Sequence, residues 1–365
     1  MKVFLDDERR TPNGWVRVYW PLEAITLLES GEVKVISLDH DLGNDRRGTG
    51  YDVVLWIEEA VATRGFKPPE ILIHSANISA KKKMENAVAS IARHSADNDR
   101  IDDLRNLLKV PQKFCLVGYG LSEESGIPHF CDVIRDECMQ AFSQDISLTS
   151  SQKNQRVLEK LLGYKGLIAE RLNSSPYRTL ALLQKRLNLN VATQCFDGLS
   201  QINGIENAIE LSGNMLAWRC QTCGAGFAMD FDCVPKRCAS CGGRLWPDLG
   251  MLGGDDCRNL QEIWKQQLSA DTLLLLIGAD PKLAPFVNPQ ALELLPCKTL
   301  AVTAGEFRYF NGTRGGEIQC KVIQRIAERQ GWSQEKGLPQ QVGFIACMHY
   351  LLWLAKLDET DGEGY

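Results

Sequence analysis

Short apolar runs alternate with stretches of helical period along nearly the whole chain, and that alternation limits the fold more than any other feature. Lys2–Leu5, Trp15–Tyr19, Val33–Leu38 and Glu70–His74 read as strands, with helices expected over Pro21–Ser30, Tyr51–Arg64 and Ala80–Arg93. Such an order leads to a parallel sheet covered by helices. Farther on, Lys113–Val117, Asn190–Thr193, Thr272–Ile277 and Thr299–Val302 read as core strands, with a helical stretch over about Ser151–Leu187. We therefore expect an α/β chain: a small parallel-sheet domain, then a doubly wound sheet interrupted by a cysteine-rich insert. His94–Arg105 is polar and shows no apolar period, so it is the expected connection. The length of 365 residues suits two domains, at 1–102 and 103–365, with the insert at about 215–250.

With 44% hydrophobic and 24% charged residues the chain can bury ordinary cores, and its net charge of −5 argues against sequence-blind nucleic-acid binding. A small basic pocket for a phosphorylated ligand, a phosphorylated RNA end included, stays compatible with that charge. Thr272–Ile277 and Val342–Ala355 are the longest apolar stretches, both shorter than the roughly 20 residues of a spanning helix. Met1 leads directly into an apolar run and then acids, so no leader is expected and a cytoplasmic setting follows. In a reducing compartment the 13 cysteines are metal ligands or small core residues rather than bridges.

Cys220-x-x-Cys223, fourteen residues, then Cys238-x-x-Cys241 has the spacing of a tetrahedral zinc site. Four thiolates leave no open coordination position, so this zinc is expected to be structural.

Three N-terminal strands end in chemistry: Asp6-Asp7, Asp39-His40-Asp41, and His74-Ser75-Ala76-Asn77. Ligands of parallel sheets sit beyond the carboxyl ends of strands. Converging carboxylates call for a cation, and oxygen ligands suit magnesium, giving Asp6, Asp7, Asp39 and Asp41 as candidate ligands. This pattern resembles the receiver domain of two-component signalling. The resemblance makes Asp39 the phosphate-acceptor position and Ser75 the following hydroxyl. Glu8–Gly14 is too short for a helix, and no fifth strand with a lysine follows. Those departures resemble the shortened cyclic-phosphate-processing receiver domain, which implies a role on cyclic phosphates. Arg9 or Arg10 would neutralise a phosphate there, with Asp39, His40 and His74 as candidate catalytic groups.

Gly118-Tyr119-Gly120-Leu121-Ser122 follows a strand directly, and Ser125-Gly126-Ile127-Pro128-His129-Phe130 comes next. Glycines there let a backbone approach a pyrophosphate. Thr193-Gln194-Cys195-Phe196-Asp197-Gly198-Leu199, Glu210-Leu211-Ser212-Gly213, the cysteine quartet and Gly278-Ala279-Asp280-Pro281 complete the set. Together, over about Leu104–Tyr365, these resemble the sirtuins, NAD-dependent protein deacylases with a Rossmann-like domain and a small zinc module. The resemblance places Gly118, Gly120, Ser122, Ser125, Gly126, Ile127, Pro128, Phe130, Gln194, Asp197, Ser212 and Gly278 along an NAD or ADP-ribose site. It puts Asp197 and Ile127 near the nicotinamide end.

The departures fall on catalytic positions. Ser212 stands where the family's Glu-Leu-His-Gly carries its general-base histidine, Cys195 where it has an asparagine, and Cys131 where it has an arginine. A serine hydroxyl does not take up a proton at neutral pH, and losing a general base costs about 10²–10⁴ in rate. The expected protein therefore binds NAD or an ADP-ribose derivative without deacylating, beside a metal-dependent receiver-like domain for a phosphorylated ligand. Two alternatives stand: an NAD-consuming glycohydrolase or ADP-ribosyltransferase with Cys195 as nucleophile, and a non-enzymatic nucleotide sensor.

Overall fold

Strands β1 (Lys2–Leu5) and β2 (Val16–Val18) pair in parallel although no helix separates them. The computed structural model describes residues 1–43, 45–128, 150–228, 237–249, 266–279, 295–310, 315–336, 338–339 and 343–356. It divides into two compact units, Met1–Asp103 with Val322–Leu338, and Leu104–Lys321 with Pro339–Tyr365. Among the described residues, no helix is long and apolar enough to cross a membrane.

In the first unit, β3 (Val35–Leu38) and β4 (Glu70–Ile73) complete a four-stranded parallel sheet of order β2-β1-β3-β4. Helix α1 (Pro21–Glu29) opens on a proline, whose missing N–H has no partner to lose in the first turn. Helix α2 (Gly50–Arg64) closes on Gly65, left-handed at φ 64°. Val3, Leu5, Ile36 and Leu38 pack against Val53, Val54 and Ile57, so the apolar strands and the inner face of α2 make one core.

Helix α3 runs from Ile78 to Leu108 and absorbs the stretch His94–Arg105, expected as a connection. The correction has a physical basis. No Gly or Pro interrupts 78–108, and Ile101, Leu104 and Leu107/Leu108 bury one helical stripe that the acidic neighbours mask in sequence. The Asn77 side chain accepts the Ala80 amide at 3.1 Å and starts the helix.

The second unit begins with β5 (Gln112–Val117) and the short α4 (Tyr119–Glu124). Helices α5 (Ser150–Ala169) and α6 (Ser175–Leu187) replace the single expected helical stretch; Pro176 in the first turn of α6 accounts for the interruption. Then follow β6 (Leu189–Thr193), β7 (Ile209–Glu210), β8 (Gly213–Cys220), β9 (Gly226–Ala228) and β10 (Leu245–Leu249). Strands β11 (Thr272–Ile277), β12 (Lys298–Val302), β13 (Glu306–Phe310) and β14 (Gly315–Gln319) precede α7 (Phe344–Lys356). Seven strands form one sheet of order β14-β13-β12-β11-β5-β6-β7, and β10-β8-β9 form a separate antiparallel sheet. The edge strands β13 and β14 are antiparallel, a hairpin the strand-by-strand reading omitted. Chain order leads from β5 to β6 on one side and returns to β11 on the other. The carboxyl ends of β5 and β11 are thus the switch point where such sheets take ligands.

Candidate functional site

In the N-terminal sheet, parallel strands bring Asp6, Asp39 and His74 to one edge, with their ligand atoms within 4.8 Å of one another. Asp6 is fully buried. Its Oδ1 accepts the amides of Glu8 (2.8 Å) and Arg9 (2.6 Å), and its Oδ2 accepts Arg9 Nη1 and His74 Nε2, each at 3.0 Å. Because a carboxylate only accepts, His74 Nε2–H donates to Asp6, and Nδ1 meets the Ser37 hydroxyl at 2.7 Å. Phe4 stacks on the imidazole with centroids 4.6 Å apart. Burial works to raise the Asp6 carboxyl, yet the bonds from Arg9, His74 and the Glu8 amide prevail and hold it below the usual range.

Of the four expected magnesium ligands, Asp6 and Asp39 come together, and Asp7 and Asp41 lie outside that group. Asp41 is exposed and bonds His40 Nδ1 at 2.8 Å, while Asp7, diverging from its neighbour Asp6, lies against Gly43. Two arginines lie at this edge: Arg9, whose Nη1 bridges Asp6 Oδ2 and a short contact to Asp39 Oδ2, and Arg17, whose Nη2 is 3.9 Å from Asp6 Oδ1. One donor of the remaining trio is an imidazole nitrogen. Asp6 and Asp39 offer the two carboxylates that magnesium commonly takes beside waters, with the Arg9 guanidinium lying between them. Asp39 Oδ1 is buried with no hydrogen-bond partner among the described residues, leaving an acceptor in the site.

The Arg9 pairing has a measurable consequence. Arg9→Ala should lower stability by about 1–2 kcal/mol in urea unfolding at pH 7, an amount discounted because the arginine is partly exposed. A carboxyl held low in the fold adds stability above its unfolded value, and this is lost as pH falls through the folded value. The gap between wild type and variant should therefore shrink below about pH 4.

At the switch point of the larger sheet, Gly118 follows β5 and Gly278 follows β11. A Cβ on Gly118 would lie 2.2 Å from the Gly278 carbonyl oxygen, and one on Gly120 2.9 Å from Gly278 Cα. These glycines thus allow two loops of the chain itself to touch, a reason the sequence reading did not include. Gly126 adopts φ 80°, and its amide donates to the Glu123 carbonyl at 2.9 Å. That turn leads into Ile127, which is buried, and Pro128, which is exposed. Ser125 Oγ meets Ser174 Oγ at 2.7 Å.

After β6, Gln194, Cys195 and Asp197 are all buried. Asp197 Oδ1 accepts the Leu199 amide at 3.0 Å, and Oδ2 accepts the hydroxyls of Ser122 (2.7 Å) and Tyr177 (3.2 Å). Burial pushes the Asp197 carboxyl up, and these donors oppose it. Cys195 Sγ lies 3.4 Å from Ser122 Oγ, and burial together with the Asp197 charge pushes its thiol up to about 12. At neutral pH it is a protonated thiol, poorly suited to the nucleophile role. Ser212 is half-buried just after β7, and Glu210 accepts Asn214 Nδ2 at 2.6 Å. His129, Phe130, Cys131, Asp280 and Pro281 lie outside the described residues.

The cysteine quartet comes together as its spacing required. Cys220 and Cys241 sulfurs are 3.5 Å apart, Cys223 and Cys238 sulfurs 3.7 Å, and all four lie within 4.8 Å of one another. Zinc with bonds of about 2.3 Å sets tetrahedral sulfurs about 3.8 Å apart, so the four thiolates fit it. Each pair is shaped by a turn: the Gly224 amide donates to the Cys220 carbonyl and the Gly242 amide to the Cys238 carbonyl, both at 2.9 Å. Both glycines have φ above 70°. Such an ion would hold the β8–β10 sheet together and supply no reaction.

The geometry thus defines a receiver-type sheet with an acidic edge, and a Rossmann-like sheet with a cysteine-rich module. Residues 1–90 match the profile of the cyclic-phosphate processing receiver domain, and residues 118–285 that of the Sir2 family. The chain thus carries a match to each of these two families in turn. Its relatives include an NAD-dependent protein deacylase of Thermus thermophilus, 24% identical over 234 residues, covering 57% of this chain and 91% of the relative. NAD-dependent protein deacylase 1 of Caldanaerobacter subterraneus is 29% identical over 197 residues, covering 51% and 80%. A crystal structure of a Sir2 homologue–NAD complex aligns at 20% identity and a TM-score of 0.41, covering 55% of this chain and 80% of that one.

Two participants escaped the sequence reading. Ser37 had one signal, a polar residue inside an apolar strand. Tyr177 had none, since an aromatic residue after a helix-opening proline usually packs in a core.

Proposed function

We propose that the Sir2-family part binds NAD or an ADP-ribose derivative without deacylating, and that the receiver part opens a cyclic phosphate on such a ligand. The carrying observation is Ser212, a hydroxyl at the turn where the family places its base. The division we assign is 1–102 and 103–365, with the zinc module at about 215–250. Cysteine usage favours the cytoplasm, and the partner is a small nucleotide.

Opening a cyclic phosphate forms one P–O bond to water and breaks the ring P–O bond, whose oxygen takes a proton. Arg9 would bind the phosphate, and His74 or His40 would carry the proton. The Asp39 oxygen that lacks a partner would accept from the incoming water. The guanidiniums at this edge leave the two carboxylates and an incoming phosphate with excess negative charge, so we expect magnesium at Asp6 and Asp39 to speed the reaction.

Phosphorus NMR of ADP-ribose cyclic phosphate incubated with the full chain tests this. We expect a phosphomonoester signal, stronger with magnesium and lost in Asp39→Ala. An unchanged substrate, or full turnover by Asp39→Ala, would overturn the proposal. The glycohydrolase alternative is weaker, since the Cys195 thiol it needs is buried and protonated.

A further inference from the structure

The ligand of the Rossmann-like site has two ends that differ at one carbon. In NAD the outer ribose carries nicotinamide, whose carboxamide brings two N–H donors. In ADP-ribose the same carbon carries a single oxygen. Which form the site takes depends on what acceptor it offers near that carbon, and Asp197 is the group the Sir2 resemblance puts there.

Asp197 has little acceptor capacity left. A carboxylate offers about four lone-pair positions. Leu199 N–H fills one on Oδ1, and the Ser122 and Tyr177 hydroxyls converge on Oδ2. The two hydroxyls also touch each other at 2.8 Å, closing a triangle of contacts. Ser122 and Tyr177 are both fully buried, and Asp197 nearly so. Tyr177 comes from α6, twenty residues before Asp197, and its hydroxyl takes a place on Oδ2 that a carboxamide N–H would need. Cys195 Sγ lies against Ser122 Oγ, so the triangle has a thiol rather than an amide beside it.

We infer that Tyr177 makes this site selective for ADP-ribose derivatives over NAD. The inference rests on the proposal that the site binds such nucleotides at all. A nicotinamide entering here would find at most one position on Asp197 for its two amide hydrogens, so it would leave one without that acceptor or displace a hydroxyl from the carboxylate. A ligand with only an oxygen at that carbon, free or phosphorylated, leaves the Ser122–Tyr177–Asp197 set intact. The cost of a buried unpaired amide donor corresponds to roughly 10- to 100-fold in affinity. Tyr177 is thus a specificity residue acting through Asp197, and the site would hold a product of nicotinamide release rather than its precursor.

Isothermal titration of the full chain with ADP-ribose and, separately, with NAD reads this as a ratio. Expected is ADP-ribose binding at least about 10-fold tighter than NAD. Tyr177→Phe frees one position on Asp197 while keeping the ring, and should narrow the ratio several-fold. Equal affinities in the wild type, or tighter NAD, overturn the selectivity and leave the nucleotide site standing. A ratio unchanged in Tyr177→Phe overturns the role of Tyr177. Binding of neither ligand removes the nucleotide site itself and the inference with it. The wild-type ratio needs no variant, so a poorly folded Tyr177→Phe does not spare the inference.

Discussion

Cys238→Ser should abolish zinc binding and unfold the β8–β10 sheet, while the N-terminal parallel sheet stays folded. The reason lies in what holds that small sheet. Its buried cluster is Trp218, Cys220, Cys238 and Leu245, and two of those four are members of the quartet. A four-thiolate zinc site supplies roughly 10–16 kcal/mol of apparent binding free energy at neutral pH. Met215, Trp218, Leu245, Trp246 and Leu249 are also buried on β8 and β10, but each contributes only about 1.5–3 kcal/mol, so the ion is the largest single contribution. Atomic emission should find about one zinc per wild-type chain and almost none in the variant. The near-ultraviolet signal of Trp218 and Trp246 should be lost with it. Retention of that signal in a zinc-free variant would mean that the sheet stands without the ion.

With NAD and an acyl-lysine peptide, the chain should deacylate about 10²–10⁴-fold more slowly than the Thermus thermophilus relative in the same assay. The loss follows from proton transfer. A ribose hydroxyl becomes a nucleophile when a base near neutral pKa accepts its proton, and histidine serves because its ordinary value is about 6.5. Ser212 offers a hydroxyl far too weak as a base. The Asp197 carboxylate cannot substitute, since it is buried and accepts Ser122, Tyr177 and the Leu199 amide. Cys195 cannot either, because its thiol stays protonated at neutral pH. Deacylation at a rate matching the relative would show that another group of this chain serves as base.

How much of this was readable beforehand follows physical lines. Strands ending in Asp6, Asp39 and His74 were visible because a parallel sheet gathers strand ends on one edge, whatever their separation in sequence. The cysteine quartet was visible because coordination geometry fixes local spacing. By contrast, the cation among the carboxylates was legible only as a type. The sequence pattern calls for positive charge there but does not place the Arg9 guanidinium between the two carboxylates. The helical nature of His94–Arg105 was hidden because its apolar stripe is sparse and carried by Ile101 and Leu104 amid acids. Tyr177 was unreadable for a different reason. Its partners Ser122 and Asp197 stand 55 and 20 positions away, and local pattern carries no trace of such a meeting.

The central proposal is that the part matching the Sir2 family holds an ADP-ribose moiety. Equilibrium dialysis of the intact chain against labelled ADP-ribose tests it most directly. We predict saturable binding at one site per chain, competed by unlabelled ADP-ribose and weakened by Asp197→Ala, which removes the acceptor of the Ser122 and Tyr177 hydroxyls. Absence of saturable binding at millimolar ADP-ribose, with the zinc module intact, would contradict it.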